Sequence, residues 1–421
     1  MEKILIQSVT ILDQQSKYHE KVRDILIVDG KIQEISTKIT GSDIHCKTIN
    51  GKGQYVCPGF FDLNTNFGEP GLETKEDLQS GCKAAAAGGF TGVALMPNTQ
   101  PPIHSKGEVS YIINKTKNNL VDVYPLACIT EKREGKELAE MYDMQQAGAL
   151  AFTDGNKPVS NAELMSRAML YTKGFDGLIF SYAEDANIAG KGKMNEGVMS
   201  TLLGMKGNPA LAEELMVARD IYLAEYNDAN IHFSTVSTAK SVDLIKQARK
   251  NGLKITCDVA AYHLVLSENE LEGFDSQYKV KPPLRTQADI KALISGLKAG
   301  IIDAIVSQHT PHEIECKNVE FELAAYGMLG LQTVLPMAIA VGLIPQEIAN
   351  KLSINPRKIV GLSVPTISEN KKANLVVFNP EAEWVYNENT NFSKSSNSPF
   401  MNKTLKGKVT LVYNNSQYFI S

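Results

Sequence analysis

From Tyr55 to Val306 one pattern recurs: a short unbroken apolar run, then a longer stretch with helical spacing. The runs are 55–64, 92–96, 122–127, 149–152, 178–181, 231–234, 254–259 and 303–306. Short apolar runs without alternation are the mark of strands buried on both faces, as in a parallel sheet. Helices fill the gaps. Thr74-Lys75-Glu76-Asp77 predicts a capped helix start, and the helix then runs through Ala84–Ala87 and stops at Gly88-Gly89. A second helix is expected over 210–225. Eight such strands with seven or eight helices in about 300 residues predict an α/β fold, a (β/α)8 barrel. A doubly wound sheet is the alternative, but no Gly-x-Gly-x-x-Gly follows the early strands, so a dinucleotide domain gains no support.

The ends read differently. Ile4–Ile11, Asp24–Val28 and Lys31–Ile35 have strand character, with Asp29-Gly30 a hairpin turn between the last two. Ala373–Phe378 and Gly407–Tyr413 are β-like as well. Neither end is long enough to close a core alone. The expected organisation is therefore a composite β-sandwich domain from residues 1–54 and 366–421, with the barrel over 55–365 between them.

Composition excludes several classes. In the 421 residues, 43 Lys and Arg face 47 Asp and Glu, giving net −4, which argues against a nucleic-acid partner. No apolar run approaches the roughly 18 residues a membrane span needs, and the first residues, from Met1 to Ile6, do not read as a signal peptide. A cytoplasmic protein is expected. Cys46, Cys57, Cys82, Cys128, Cys257 and Cys316 form no Cys-x-x-Cys pair, so buried free thiols are expected.

Several ordered motifs then stand out. Pro58-Gly59-Phe60-Phe61-Asp62, Glu69-Pro70-Gly71, Gly88-Gly89-Phe90-Thr91 and Met96-Pro97-Asn98-Thr99 lie in the first quarter of the chain. Met194-Asn195-Glu196-Gly197, Val236-Ser237-Thr238-Ala239, Pro282-Pro283-Leu284-Arg285, His309-Thr310-Pro311-His312 and the segment Phe392–Phe400 follow. Together they resemble a dihydroorotase of the amidohydrolase superfamily over nearly the whole chain. The resemblance implies a zinc-dependent barrel that interconverts carbamoyl aspartate and dihydroorotate in pyrimidine biosynthesis.

The positions that would carry this chemistry have changed. The family's His-x-His is Asn64-Thr65-Asn66 here, within Asp62-Leu63-Asn64-Thr65-Asn66, and the carboxylate-binding Arg two residues on is Gly68. Two further ligand histidines are Tyr182 and Thr235, and the Asp that would act as base is Gln308. A carboxamide is a weak, uncharged ligand, and an amide has no accessible basic pKa. Asp154 matches a bridging ligand of some family branches and is a weak metal candidate, with a loop cap as its plain alternative. Lys281 stands where the family has an Asn. Independently of the motifs, the seven histidines are His19, His45, His104, His232, His263, His309 and His312. Only the positions of His263, His309 and His312 fall where barrel strands end, too few for a four-histidine centre. Asn98, His309 and His312 are candidates for residual ligand binding, against structural hydrogen bonding. Glu184 and Asp185 read as solvated or capping acids.

The expectation is a non-catalytic dihydroorotase-like protein, with no cofactor, acting as a structural partner. The resemblance points to aspartate transcarbamoylase as that partner and to a homodimer. Two alternatives are an active cyclic amidohydrolase with an atypical metal site, and a ligand sensor without turnover.

Overall fold

The computed structural model describes residues 3–40 and 46–421; His45 lies outside them. The strands in chain order are β1 (Lys3–Ile11), β2 (Val22–Val28), β3 (Lys31–Ser36), β4 (Lys47–Asn50), β5 (Tyr55–Pro58), β6 (Phe60–Thr65), β7 (Phe90–Leu95), β8 (Asp122–Pro125), β9 (Ile179–Ser181), β10 (Met194–Asn195), β11 (Gly207–Asn208), β12 (Ile231–Phe233), β13 (Ile255–Ala260), β14 (Ala304–Val306), β15 (Leu375–Tyr386), β16 (Lys403–Asn414) and β17 (Gln417–Ile420).

Both ends of the chain share one sheet, in the order β17-β16-β15-β5-β1-β2-β3 with β4 on β1. Its β2–β3 hairpin turns at Asp29 (φ 46°) and Gly30 (φ 81°), the two left-handed residues that suit the twist of a tight hairpin. The run 55–64, expected as one strand, is two. Pro58-Gly59 breaks it, and β5 pairs with β1 and β15 while β6 enters the barrel. The terminal sheet thus reaches past the expected boundary at residue 54. Period-two alternation lets this sheet serve two cores. Val56, Leu375 and Val377 pack with Ile4, Ile6 and Ile25, whereas Cys57, Val376 and Phe378 pack into the barrel's apolar cluster.

The barrel is parallel and closed. Strands β6-β7-β8 form one arc and β9-β12-β13-β14 the other. The expected strand 149–152 contributes only single bridges: Phe152 pairs with Ala127 on one side and Ile179 on the other. A Thr65–His309 bridge closes the ring between β6 and the end of β14. Every residue of β6 and β7 is buried, which matches the unbroken apolar reading.

The first barrel helix spans Leu78–Ala87, so it begins later than Thr74. Asp77 is the cap: it accepts from the N–H groups of Gln79 and Ser80. Glu76, just before the cap, is fully buried. The helix ends at Gly88, and Gly89 supplies the left-handed turn at φ 97°. The expected helix 210–225 is Leu211–Asn227. All six cysteines are free; four are buried, but Cys46 and Cys316 are only half-buried.

Candidate functional site

In a barrel of this kind, side chains from the C-terminal ends of the strands converge on one mouth. Here the mouth is lined by Asn64, Asn66, Asn98, Tyr182, Ser234, Tyr262, Lys281, Gln308, Thr310 and Tyr326 among others, around a cavity of about 40 Å³. Ligand pockets usually run to about 300–1,000 Å³.

Most candidate residues at the mouth are engaged with neighbouring side chains or carbonyls, while Asn98 Oδ1 is buried without a partner among the described residues. Asn64 Nδ2 donates to Ser234 Oγ at 3.3 Å and to Thr235 Oγ1 at 3.4 Å. Asn66 Nδ2 donates to the carbonyl of His309 at 3.0 Å and to Thr310 Oγ1 at 3.2 Å, while Asn66 Oδ1 accepts from Asn98 Nδ2 at 2.7 Å. Gln308 accepts the Tyr262 hydroxyl and donates Nε2 to the carbonyl of Lys281 at 2.9 Å. Tyr182 donates to Glu184 Oε2 at 3.3 Å, and burial holds its phenol well above the usual pKa. Lys281 Nζ pairs with Glu184 Oε1 at 2.8 Å. Glu184 is therefore buried and ion-paired, not solvated; Asp185 caps the short helix 186–189.

Asp154 lies just outside this lining. Its Oδ1 accepts the N–H groups of Ile129 at 2.9 Å and Thr130 at 3.0 Å, and Oδ2 accepts the Thr130 hydroxyl at 2.5 Å. Burial raises its pKa. It ties one loop to the next.

Two of the changed positions have unusual backbone. Thr235 sits at φ 65° and Gln308 at φ 44°, the left-handed region that a β-branched residue such as Thr rarely visits. Gly68 is also left-handed, at φ 70°, and a Cβ there would lie 2.5 Å from the Leu72 carbonyl oxygen. This loop has no room for the side chain of an arginine at that position.

The retained histidines do not line the cavity. His309 Nδ1 accepts the N–H of Gly330 at 3.2 Å, so its Nε2–H is the edge that faces Glu76, 3.5 Å away. Glu76 also accepts the N–H of Lys394 at 3.1 Å and the hydroxyls of Ser80 and Ser393. His312 takes part in the same buttress: its N–H donates to Asn397 Oδ1 at 2.9 Å, and Asn397 Nδ2 donates to the Thr310 carbonyl at 3.0 Å. The segment 393–397 thus holds the 309–312 loop in place. His263 is buried against the Pro282 carbonyl, and burial pushes its pKa down to about 4. His232 lies between Thr256 and Asp258, and His104 bonds Glu131.

This arrangement does not fit the zinc centre that the resemblance implies. Asn66 and Gln308 are engaged through both amide atoms and Asn64 through its nitrogen, Asp154 already accepts three hydrogen bonds, and no imidazole among the described residues lines the cavity. Tyr262, Tyr326 and Ser234 were not anticipated. The signal for Tyr262 was its place just after β13, at a strand's C-terminal end, where mouth residues arise.

Comparison with known proteins agrees with the fold and narrows the family. A dihydro-orotase-like family model matches residues 53–241, and the amidohydrolase family model matches 177–417. The dihydroorotase of Ruminiclostridium cellulolyticum is 43% identical over 412 residues, 96% of this chain and 96% of that protein. That of Acetivibrio thermocellus is also 43% identical, over 404 residues and 94% of both. Among solved structures, the L-hydantoinase (dihydropyrimidinase) of Arthrobacter aurescens superposes with a TM-score of 0.86 at 22% identity, covering 100% of this chain and 96% of that one. Dihydropyrimidinase from Brevibacillus agri gives 0.80 at 21%, covering 99% and 95%. At such identities the structures speak for the shared fold, while the sequence relatives and family models carry the assignment: the chain belongs to the dihydroorotase family of amidohydrolases.

Proposed function

We propose that this protein is a non-catalytic dihydroorotase-family member of pyrimidine biosynthesis, acting in the cytoplasm as a structural partner of aspartate transcarbamoylase. The observation that carries the reading is how the changed side chains are engaged: Asn64 with Ser234 and Thr235, Asn66 with Asn98, and Gln308 with Tyr262. A working site would present basic, metal-binding or carboxylate-gripping groups to its substrate. Here the corresponding side chains are neutral amides and hydroxyls, each engaged with a neighbouring group.

A partner role gains support from the helix 211–227. Leu211, Leu215, Tyr222 and Tyr226 are 54%, 47%, 71% and 85% exposed, and their spacing places them within about 60° of arc at 3.6 residues per turn. An apolar stripe of this kind marks an interaction surface more often than a scattered exposed residue does.

Dihydroorotate turnover at high protein concentration, with and without zinc, tests the first half. Background rates in both conditions are expected; zinc-restored turnover would overturn it. Co-elution with aspartate transcarbamoylase, lost on Leu215→Asp or Tyr222→Asp, tests the second half. A transcarbamoylase that assembles fully active without this chain would sink it.

A further inference from the structure

The turn that follows the 309–312 loop carries a second set of chemistry-bearing residues, away from the mouth. One ring nitrogen of His312, a carboxylate oxygen of Glu313 and Sγ of Cys316 lie within 4.8 Å of one another. From these residues we infer a binding site for one zinc-class divalent transition metal, held by His312, Glu313 and Cys316.

The imidazole is the strongest support. His312 is only 9% exposed, and its Nε2 lies 3.0 Å from the Tyr326 carbonyl oxygen. A carbonyl can only accept, so Nε2 carries the proton and Nδ1 carries the lone pair. That Nδ1 is buried and has no hydrogen-bond partner among the described residues, a rare condition for a buried polar atom. Metal-ligating histidines characteristically give their other ring N–H to a backbone carbonyl or carboxylate, which fixes the tautomer that binds the ion. The Tyr326 carbonyl does that here.

The remaining two donors stand at a suitable spacing. Cys316 Sγ lies 3.6 Å from Glu313 Oε2. A tetrahedral ion with metal–sulfur and metal–oxygen bonds of about 2.3 and 2.1 Å has an S···O edge of about 3.6 Å. Glu313 is steadied through its other oxygen, which accepts the Thr74 hydroxyl at 2.5 Å. A mixed nitrogen, oxygen and sulfur set suits zinc or cobalt(II) rather than magnesium or calcium. Glu313 and Cys316 are partly solvent-accessible, so a fourth position is open to water. The cysteine binds as the thiolate, its proton passing to solvent. The ion ties together a turn that contacts Thr74, Tyr326 and Asn397, and so stiffens the loop bearing Gln308 and Thr310.

The test uses the full chain, stripped with chelator, desalted and titrated with cobalt(II). One equivalent is expected to bind, with a sulfur-to-cobalt charge-transfer band in the near ultraviolet that zinc abolishes. Cys316→Ser is expected to lose the band, and Cys316→Ser and Glu313→Gln each to weaken zinc binding at least tenfold, with unchanged circular dichroism. Asp154→Asn is expected to bind as the unaltered chain does. Absence of the band in the unaltered protein overturns the inference without any variant. So does metal binding that survives Cys316→Ser and is lost on Asp154→Asn, which would put the ion at the mouth.

Discussion

The Tyr262 hydroxyl donates a hydrogen bond to the side-chain oxygen of Gln308, whose amide nitrogen in turn donates to the Lys281 carbonyl at 2.9 Å. Both ends of Gln308 are thereby engaged at the position where the family resemblance places a catalytic base. Restoring a carboxylate alone is expected to restore no chemistry. Gln308→Asp should keep dihydroorotate turnover at background, with or without zinc. It should also cost about 1–3 kcal/mol in urea unfolding, because the Lys281 carbonyl loses its donor. Turnover in this single variant would mean that the other changed positions matter less than the network implies.

Thr235 occupies left-handed backbone at φ 65° although its β-branched side chain disfavours it. Strain of this kind is usually retained where a site needs it, and costs about 1–3 kcal/mol. If the mouth no longer performs catalysis, the strain can be relieved without loss. Thr235→Asn, which tolerates this region, is expected to raise the unfolding free energy by about 1 kcal/mol. A lower melting temperature would speak against that view.

Asp62 is fully buried at the start of the barrel, accepting the Ser307 N–H at 2.9 Å and the Ser307 hydroxyl. Burial raises its pKa from 3.8 to about 7, despite the Ser307 and Asn64 hydrogen bonds that favour the anion. Between these values the folded state binds more protons than the unfolded chain. This group's contribution to stability therefore falls as pH rises from about 4 to about 7 and is flat above that. Comparing the melting temperature across this window, Asp62→Asn should show a shallower decline than the unaltered protein. Parallel profiles would show that Asp62 ionises normally.

Arg285 is buried and makes four contacts around the mouth's outer wall. Nε donates to Ser237 Oγ at 3.0 Å, Nη1 to Asn195 Oδ1 at 2.8 Å and the Asn208 carbonyl at 3.0 Å, and Nη2 lies 3.8 Å from Glu213. Removing the cation leaves Glu213 buried without it. Arg285→Met is expected to lower stability by about 3–5 kcal/mol, read from the urea midpoint. A loss below about 1 kcal/mol would show that the remaining donors on Glu213, from Ser237 and Thr238, suffice.

Much of the architecture was legible because it depends on local pattern. The unbroken apolar runs marked strands buried on both faces, and Asp29-Gly30 marked its hairpin by turn chemistry alone. The run 149–152 is a strand only at Phe152, since apolar character does not report how many ladder bonds a segment makes. The run 55–64 looks like one strand in sequence because Tyr55–Pro58 is equally apolar, and only pairing with β1 and β15 assigns that part to the other sheet. Thr74 and Asp77 are both competent caps in sequence, and in the fold Asp77 caps the helix while Glu76 turns inward to bond the 393–394 segment.

Residue identity by itself determined which groups the mouth lacks: no ordering in space turns Asn64, Asn66 or Gln308 into an imidazole or a carboxylate. What those side chains do instead was decided by the tertiary structure. Asn66 meets the carbonyl of His309, and Gln308 meets Tyr262, across 243 and 46 residues of chain. Likewise His312, Glu313 and Cys316 are neighbours in sequence, yet the free lone pair on His312 exists only because Tyr326 takes the other nitrogen. Local propensity is set by the side chain and its near neighbours, whereas hydrogen-bond partners are set by which distant strands the barrel brings together.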